Sequence, residues 1–169
     1  MTTTTTITSI PPASTPASPS QLATARGMLR EIVPASATKP GFIVFALNNS
    51  NYAIHLRVPG GEESLRERLN KRIIGTIRCE ARRVDECQTG GRFIEPVLGR
   101  PRKVQGTVLA HMPGENALVI SAAGASMVDS ASLPVVVKLT DGRQQATQFA
   151  VGTMVTMDVM DGATFTPAM

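Results

Sequence analysis

Seven residues in the middle of the chain carry side chains suited to binding an anionic polymer: Arg78, Arg82, Arg92, Phe93, Arg100, Arg102 and Lys103. Six are cations. A row of cations along one surface neutralises phosphates and releases their condensed counterions. Phe93, beside Arg92, adds a ring on which a base can stack, and Tyr52 is the next such ring. The span 57–103 holds twelve of the 17 basic residues but only seven of the 13 acidic ones, so the chain's net charge of +4 originates there. The opposing reading of the same residues is a solvated strand face on which Glu80, Asp85 and Glu95 pair with neighbouring cations.

Other chemistry is sparse. Two Cys and two His are too few for a disulfide scaffold. No pair among His55, His111 and Cys87 has metal-ligand spacing, so no metal and no cofactor is expected. Cys79 reads as a buried thiol, Cys87 as a loop residue, and no disulfide between them is expected. No Ser sits in a nucleophile elbow, and no glycine-rich loop ends in Lys-Ser/Thr; Gly60-Gly61 and Gly90-Gly91 read as turns. The expectation is a binding module and not an enzyme.

The elements that would position these residues are read from periodicity. Residues 1–40 form a Thr/Pro/Ser/Ala-rich tail with little to bury, expected to be disordered, since it cannot offset the entropy of ordering. Within it, residues 20–33 read as a short helix: Ser20 can cap it, Leu22, Ala25, Leu29 and Ile32 recur at helical spacing, and Pro34 stops it. No basic, continuously apolar leader and no run of roughly 20 apolar residues is present, so a cytoplasmic protein with no membrane partner is expected. From residue 41 the pattern is strand after strand. Residues 41–58 read as a hairpin around an Asn-rich turn, with Phe42 and Phe45 taken as core and His55 and Arg57 on the polar face. Glu62 to Asn70 reads as one or two helical turns.

Two later strands carry the clearest alternation. Ile73, Gly75, Ile77, Cys79 and Ala81 share one face against Arg72, Ile74, Thr76, Arg78, Glu80 and Arg82. Val104, Gly106, Val108 and Ala110 likewise oppose Lys103, Gln105, Thr107, Leu109 and His111. A glycine inside each strand marks a bend. Seven or eight short strands with close turn signals describe an all-β barrel or sandwich, and the two bent strands favour a closed or partly open barrel.

The stretch 71–166 resembles an OB-fold, and most resembles the anticodon-binding-like OB domains of uncharacterised bacterial proteins. The resemblance is carried by Ile74-Gly75-Thr76-Ile77, by Val104-Gln105-Gly106-Thr107-Val108, and by Val151-Gly152-Thr153-Met154-Val155 with Asp161-Gly162-Ala163-Thr164-Phe165. The hairpin at 41–58 departs from a minimal OB pattern. The resemblance implies binding of oligonucleotides or oligosaccharides on one barrel face and its loops, with no catalytic residue. The expected partner is therefore single-stranded DNA or RNA at the seven residues above. The alternative is a protein partner recruited by a barrel edge or face.

Overall fold

The computed structural model describes residues 16–48, 50–123 and 133–168. The first fifteen residues of the expected disordered tail lie outside that description. The fold is all-β, as the alternation implies. Among the described residues, twelve strands join one sheet: β1 (Thr24–Val33), β2 (Phe42–Ala46), β3 (Ala53–Leu56), β4 (Arg72–Ala81), β5 (Asp85–Glu86), β6 (Phe93–Glu95), β7 (Leu98–Gly99), β8 (Lys103–Met112), β9 (Ala117–Ser121), β10 (Pro134–Leu139), β11 (Met154–Asp158) and β12 (Thr164–Pro167). The ladder runs β5-β11-β8-β9-β10-β4-β1-β2-β3-β7, with β12 also on β4 and β6 also on β8. It does not close into a single small barrel.

The central element is β4. Its first half pairs with β1 (Ala25↔Gly75), its middle with β12 (Phe165↔Ile77) and its second half, in parallel, with β10 (Val137↔Cys79). Such sharing requires a strand long enough for several partners and apolar on its inward face, and the 73–81 alternation supplies both. Two single bridges, Arg57↔Thr164 and Ala81↔Val159, bring distant parts of the ladder together.

The helix expected over 20–33 is replaced by a strand. Only one turn is helical, α1 (Pro19–Leu22), and Ser18 caps it in a reciprocal capping box with Gln21. From Thr24 the chain is β1, with Ala25, Gly27 and Leu29 inward. Apolar residues at 25 and 29 satisfy a period of two as well as a helical one, and tertiary pairing decides between them. β1 is paired on both edges, by β2 and β4, and a Cβ at Gly27 would run into the Phe45 ring. The folded part therefore begins before residue 41, and the 41–58 hairpin joins the same sheet through β1.

The alternation expected in β8 also breaks. A bulge between Val108 and Ala110 shifts the register against β9. Val108 faces the main core, whereas Ala110 joins a smaller cluster with Ala23, Ala117, Val119 and Val136, against which Leu22, Leu109 and Met112 pack. One extra residue turns every later side chain to the other face.

The main core is continuous from β1 to β12. At its centre Phe45 and Phe165 lie 5.6 Å apart, both fully buried. Each ring covers a glycine: Phe45 lies over Gly27 and Phe165 over Gly75, where an added Cβ would meet the Phe165 ring at 2.6 Å and run into the Thr166 carbonyl. Gly75→Ala should therefore lower the unfolding free energy by about 1–3 kcal/mol through overpacking. Gly142→Ala, with nothing within 4 Å, should stay within about 0.5 kcal/mol of the parent. Urea midpoints of the two variants check this.

Candidate nucleic-acid interface

The outward face of the β2–β3 hairpin begins the site. Ile43 and Leu56 are paired and buried, so their neighbours Phe42 and Arg57 extend the ladder with side chains on the other face, and His55 shares that face by period two. The Phe42 and His55 rings stack, with centroids 4.5 Å apart and planes 17° from parallel. Backbone bonds on both sides fix Arg57: its N–H donates to the Ala163 carbonyl at 2.9 Å, and its own carbonyl accepts from Phe165 N–H at 2.7 Å.

These residues line a cleft of about 460 Å³ whose other walls are Thr38 to Gly41, Arg100 and the turn at Asp161 to Ala163. The Lys39 segment is held by its own turn, in which Ser36 Oγ accepts from Lys39 N–H at 3.1 Å, and by Glu62, which accepts from Ala35 N–H at 3.0 Å. Arg100 follows the two-residue strand β7. Asp161 Oδ2 receives Arg100 Nη1 at 2.9 Å and Arg57 Nη2 at 3.6 Å. Two guanidinium groups from distant segments thus share one carboxylate, and Lys39 lines the same cleft.

Five of the seven expected residues lie elsewhere. Arg78 pairs with Glu115 at 2.6 Å. Arg92 donates to Ser121 Oγ at 3.0 Å. Arg82 and Lys103 line a second hollow, together with Asp85 and Asp158. Phe93, half-buried on β6, pairs with Gln105. Arg102 is exposed and lines a shallow groove next to Arg100, with Glu95, Pro96, Leu98 and Gly99. Of the expected set, then, Arg100 lines the cleft and Arg102 adjoins it. Tyr52 is packed against the core, and its hydroxyl accepts from Ile94 N–H at 3.3 Å. Gln105 is buried and its amide donates to the Thr89 and Gly91 carbonyls at 3.0 and 2.8 Å, which ties down the 89–91 turn.

Lys39, Phe42, His55 and Arg57 are the cleft residues that periodicity alone did not single out. His55 and Arg57 are on the face expected for them. Phe42, read as core, is half-buried and lines the cleft, whereas Phe45 is core as expected, and Phe149 and Phe165 are buried with it. The convergence itself depends on β12 docking against β4.

Both cysteines are free thiols. Burial, with Glu80 adding, pushes Cys79 up to about 12, so it stays protonated. Among the described residues no group of three or more His, Cys, Asp or Glu side chains is arranged to hold a metal ion, and no helix is long and apolar enough to cross a membrane. Comparison with protein-family models, with curated proteins and with solved structures returns no match for this chain.

The His55 imidazole is held below its ordinary value, first by burial and then by Arg100, with Glu31 opposing. A base whose folded-state pKa is lowered binds its proton less readily than the unfolded chain does. Stability therefore rises with pH between the folded value and the unfolded value of about 6.5, and is lost as pH falls through that window. The urea midpoint should drop between pH 7 and pH 5.5, and His55→Gln should reduce that drop relative to the parent. Equal pH dependence in both proteins would contradict the assignment.

Proposed function

We propose that the chain is a non-catalytic binding module that holds single-stranded nucleic acid, with the strand running from the Lys39–Arg57–Arg100 cleft onto the groove at Arg102. One observation carries this reading: Arg57 and Arg100, with Lys39 beside them, converge on a single carboxylate in a concave site walled by a stacked aromatic pair. Asp161 offsets one of these charges, so the cleft keeps a positive excess toward a phosphate backbone. Binding by charge and stacking gives phosphate recognition with little reading of base sequence.

An OB-like core is supported by the order of pairing. The strands β11, β8, β9, β10 and β4 follow one another in the ladder, and the Ala81↔Val159 bridge links β4 to the residue just after β11. On this reading β1, β2 and β3 extend an OB-like unit on its β4 side, and the cleft lies on that extension. A second reading, a protein-interaction module, is favoured by Val97 and Leu98. They are 44% and 66% exposed, at the edge strand where the ladder ends.

Fluorescence polarisation of a labelled single-stranded oligonucleotide tests the first reading. With about three phosphates neutralised, affinity should fall about tenfold or more between 50 and 200 mM salt. Arg57→Ala and Arg100→Ala should each weaken binding several-fold, and Asp161→Asn should tighten it by about two- to fivefold by releasing the two guanidinium groups. Absence of binding at low salt would reject the reading and leave the Val97–Leu98 edge as the functional surface.

A further inference from the structure

We infer that the cleft seats one terminal nucleotide bearing a phosphomonoester, with its base against Phe42 and His55 and its phosphate among Lys39, Arg57 and Arg100; this rests on the single-strand reading above. Three observations lead to it. The first is charge. Among the side chains lining the cleft, Lys39, Arg57 and Arg100 stand against Asp161, with Glu31 acting on His55 and Glu62 lying against Gly41 behind the wall. A phosphomonoester is close to dianionic at that pH, since its second proton leaves near pH 6, whereas an internal phosphodiester carries one charge. The cleft therefore matches a strand end better than a strand interior.

The second observation is the aromatic wall. Phe42 and His55 are near-parallel and both line the cleft that holds the cations, so a base and its own phosphate can be engaged together. Neutral imidazole suits this role, because an uncharged ring stacks on a base without adding a charge that the phosphate would draw out of the stack. The third is size. About 460 Å³ lies within the roughly 300–1,000 Å³ of sites that enclose one small ligand. It is too small for several nucleotides, which must instead follow the open groove past Arg100 and Arg102.

The same chemistry occurs in a free nucleoside monophosphate, so the probes separate the two sources. Three oligonucleotides of one sequence are compared at 50 mM salt: 5′-phosphorylated, 3′-phosphorylated and unphosphorylated. A nucleoside 5′-monophosphate, the nucleoside and inorganic phosphate serve as competitors. One phosphorylated end should bind about tenfold more tightly than the unphosphorylated strand, and the monophosphate should compete better than either the nucleoside or phosphate. Lys39→Ala should erase the preference for the phosphorylated end. Phe42→Ala and His55→Ala should bring the monophosphate down to the level of inorganic phosphate, with circular dichroism confirming that each variant is folded.

Equal affinity for all three strands, with salt dependence intact, would overturn the terminal seat and leave the single-strand reading standing. A monophosphate that binds when no oligonucleotide does would assign the seat to free nucleotides and remove the single-strand reading alone. Binding of none of the probes would remove both.

Discussion

Two glycines without side chains and the two phenyl rings that occupy their space hold this fold in its arrangement. Gly27 on β1 and Gly75 on β4 lie under Phe45 and Phe165, and the strands carrying these four residues meet there. The closeness at Gly75 brings β12 against β4, with Thr164 opposite Arg78 and Phe165 opposite Ile77. Docked β12 and Ala163, just before it, in turn each share a backbone hydrogen bond with Arg57. The strand also fixes the exit of the 161–163 turn, and so where Asp161 meets Arg57 and Arg100. The geometry of the cleft is thus a consequence of core packing, because none of its charged contacts is buried enough to impose it.

The sequence made the alternating strands legible and the partners of those strands obscure. β4 lies where alternation puts it, because a half-buried strand writes its period directly into the chain. The 20–33 span reads as a helix because Ala25 and Leu29 fit both periods, and the fact that separates them, pairing on both edges, is tertiary. The two bulges, after Leu29 and after Val108, leave no mark in residue type, yet each reverses the side chains that follow. An open ladder in place of a closed barrel has the same origin: β1 to β3 extend the sheet beyond β4, a fact about neighbours that local pattern does not contain.

The site was partly legible for a related reason. Composition places the positive excess in the span 57–103, which includes Arg57 and Arg100 but not Lys39. It did not tell which cations have carboxylates of their own. Arg78 has Glu115 and Arg83 has Asp85, at 2.6 and 2.9 Å, so their charge is largely spent locally. Lys39 lay in a segment that looked like tail, and only the contact of the 38–42 loop with the β2–β3 hairpin makes it part of a surface.

What distinguishes the cleft from the other ion pairs is an inequality of charge. Arg57, Arg100 and Asp161 are 43%, 56% and 55% exposed at their side chains, so solvent screens their attraction, and such pairs contribute only about 0–1 kcal/mol to stability. One carboxylate cannot neutralise two guanidinium groups. The arrangement therefore adds little to folding while it keeps uncompensated positive charge in a concave site. Where a surface pair is complete, as at Arg78 and Glu115, an incoming anion must displace a partner to gain a contact. Where three cations face one acid, an anion can add to the cluster without displacing a complete pair. On the proposed reading, weak stabilisation and fixed geometry together suit a reversible phosphate seat, and the backbone bonds of Arg57 to Ala163 and Phe165 supply the rigidity that the exposed charges lack.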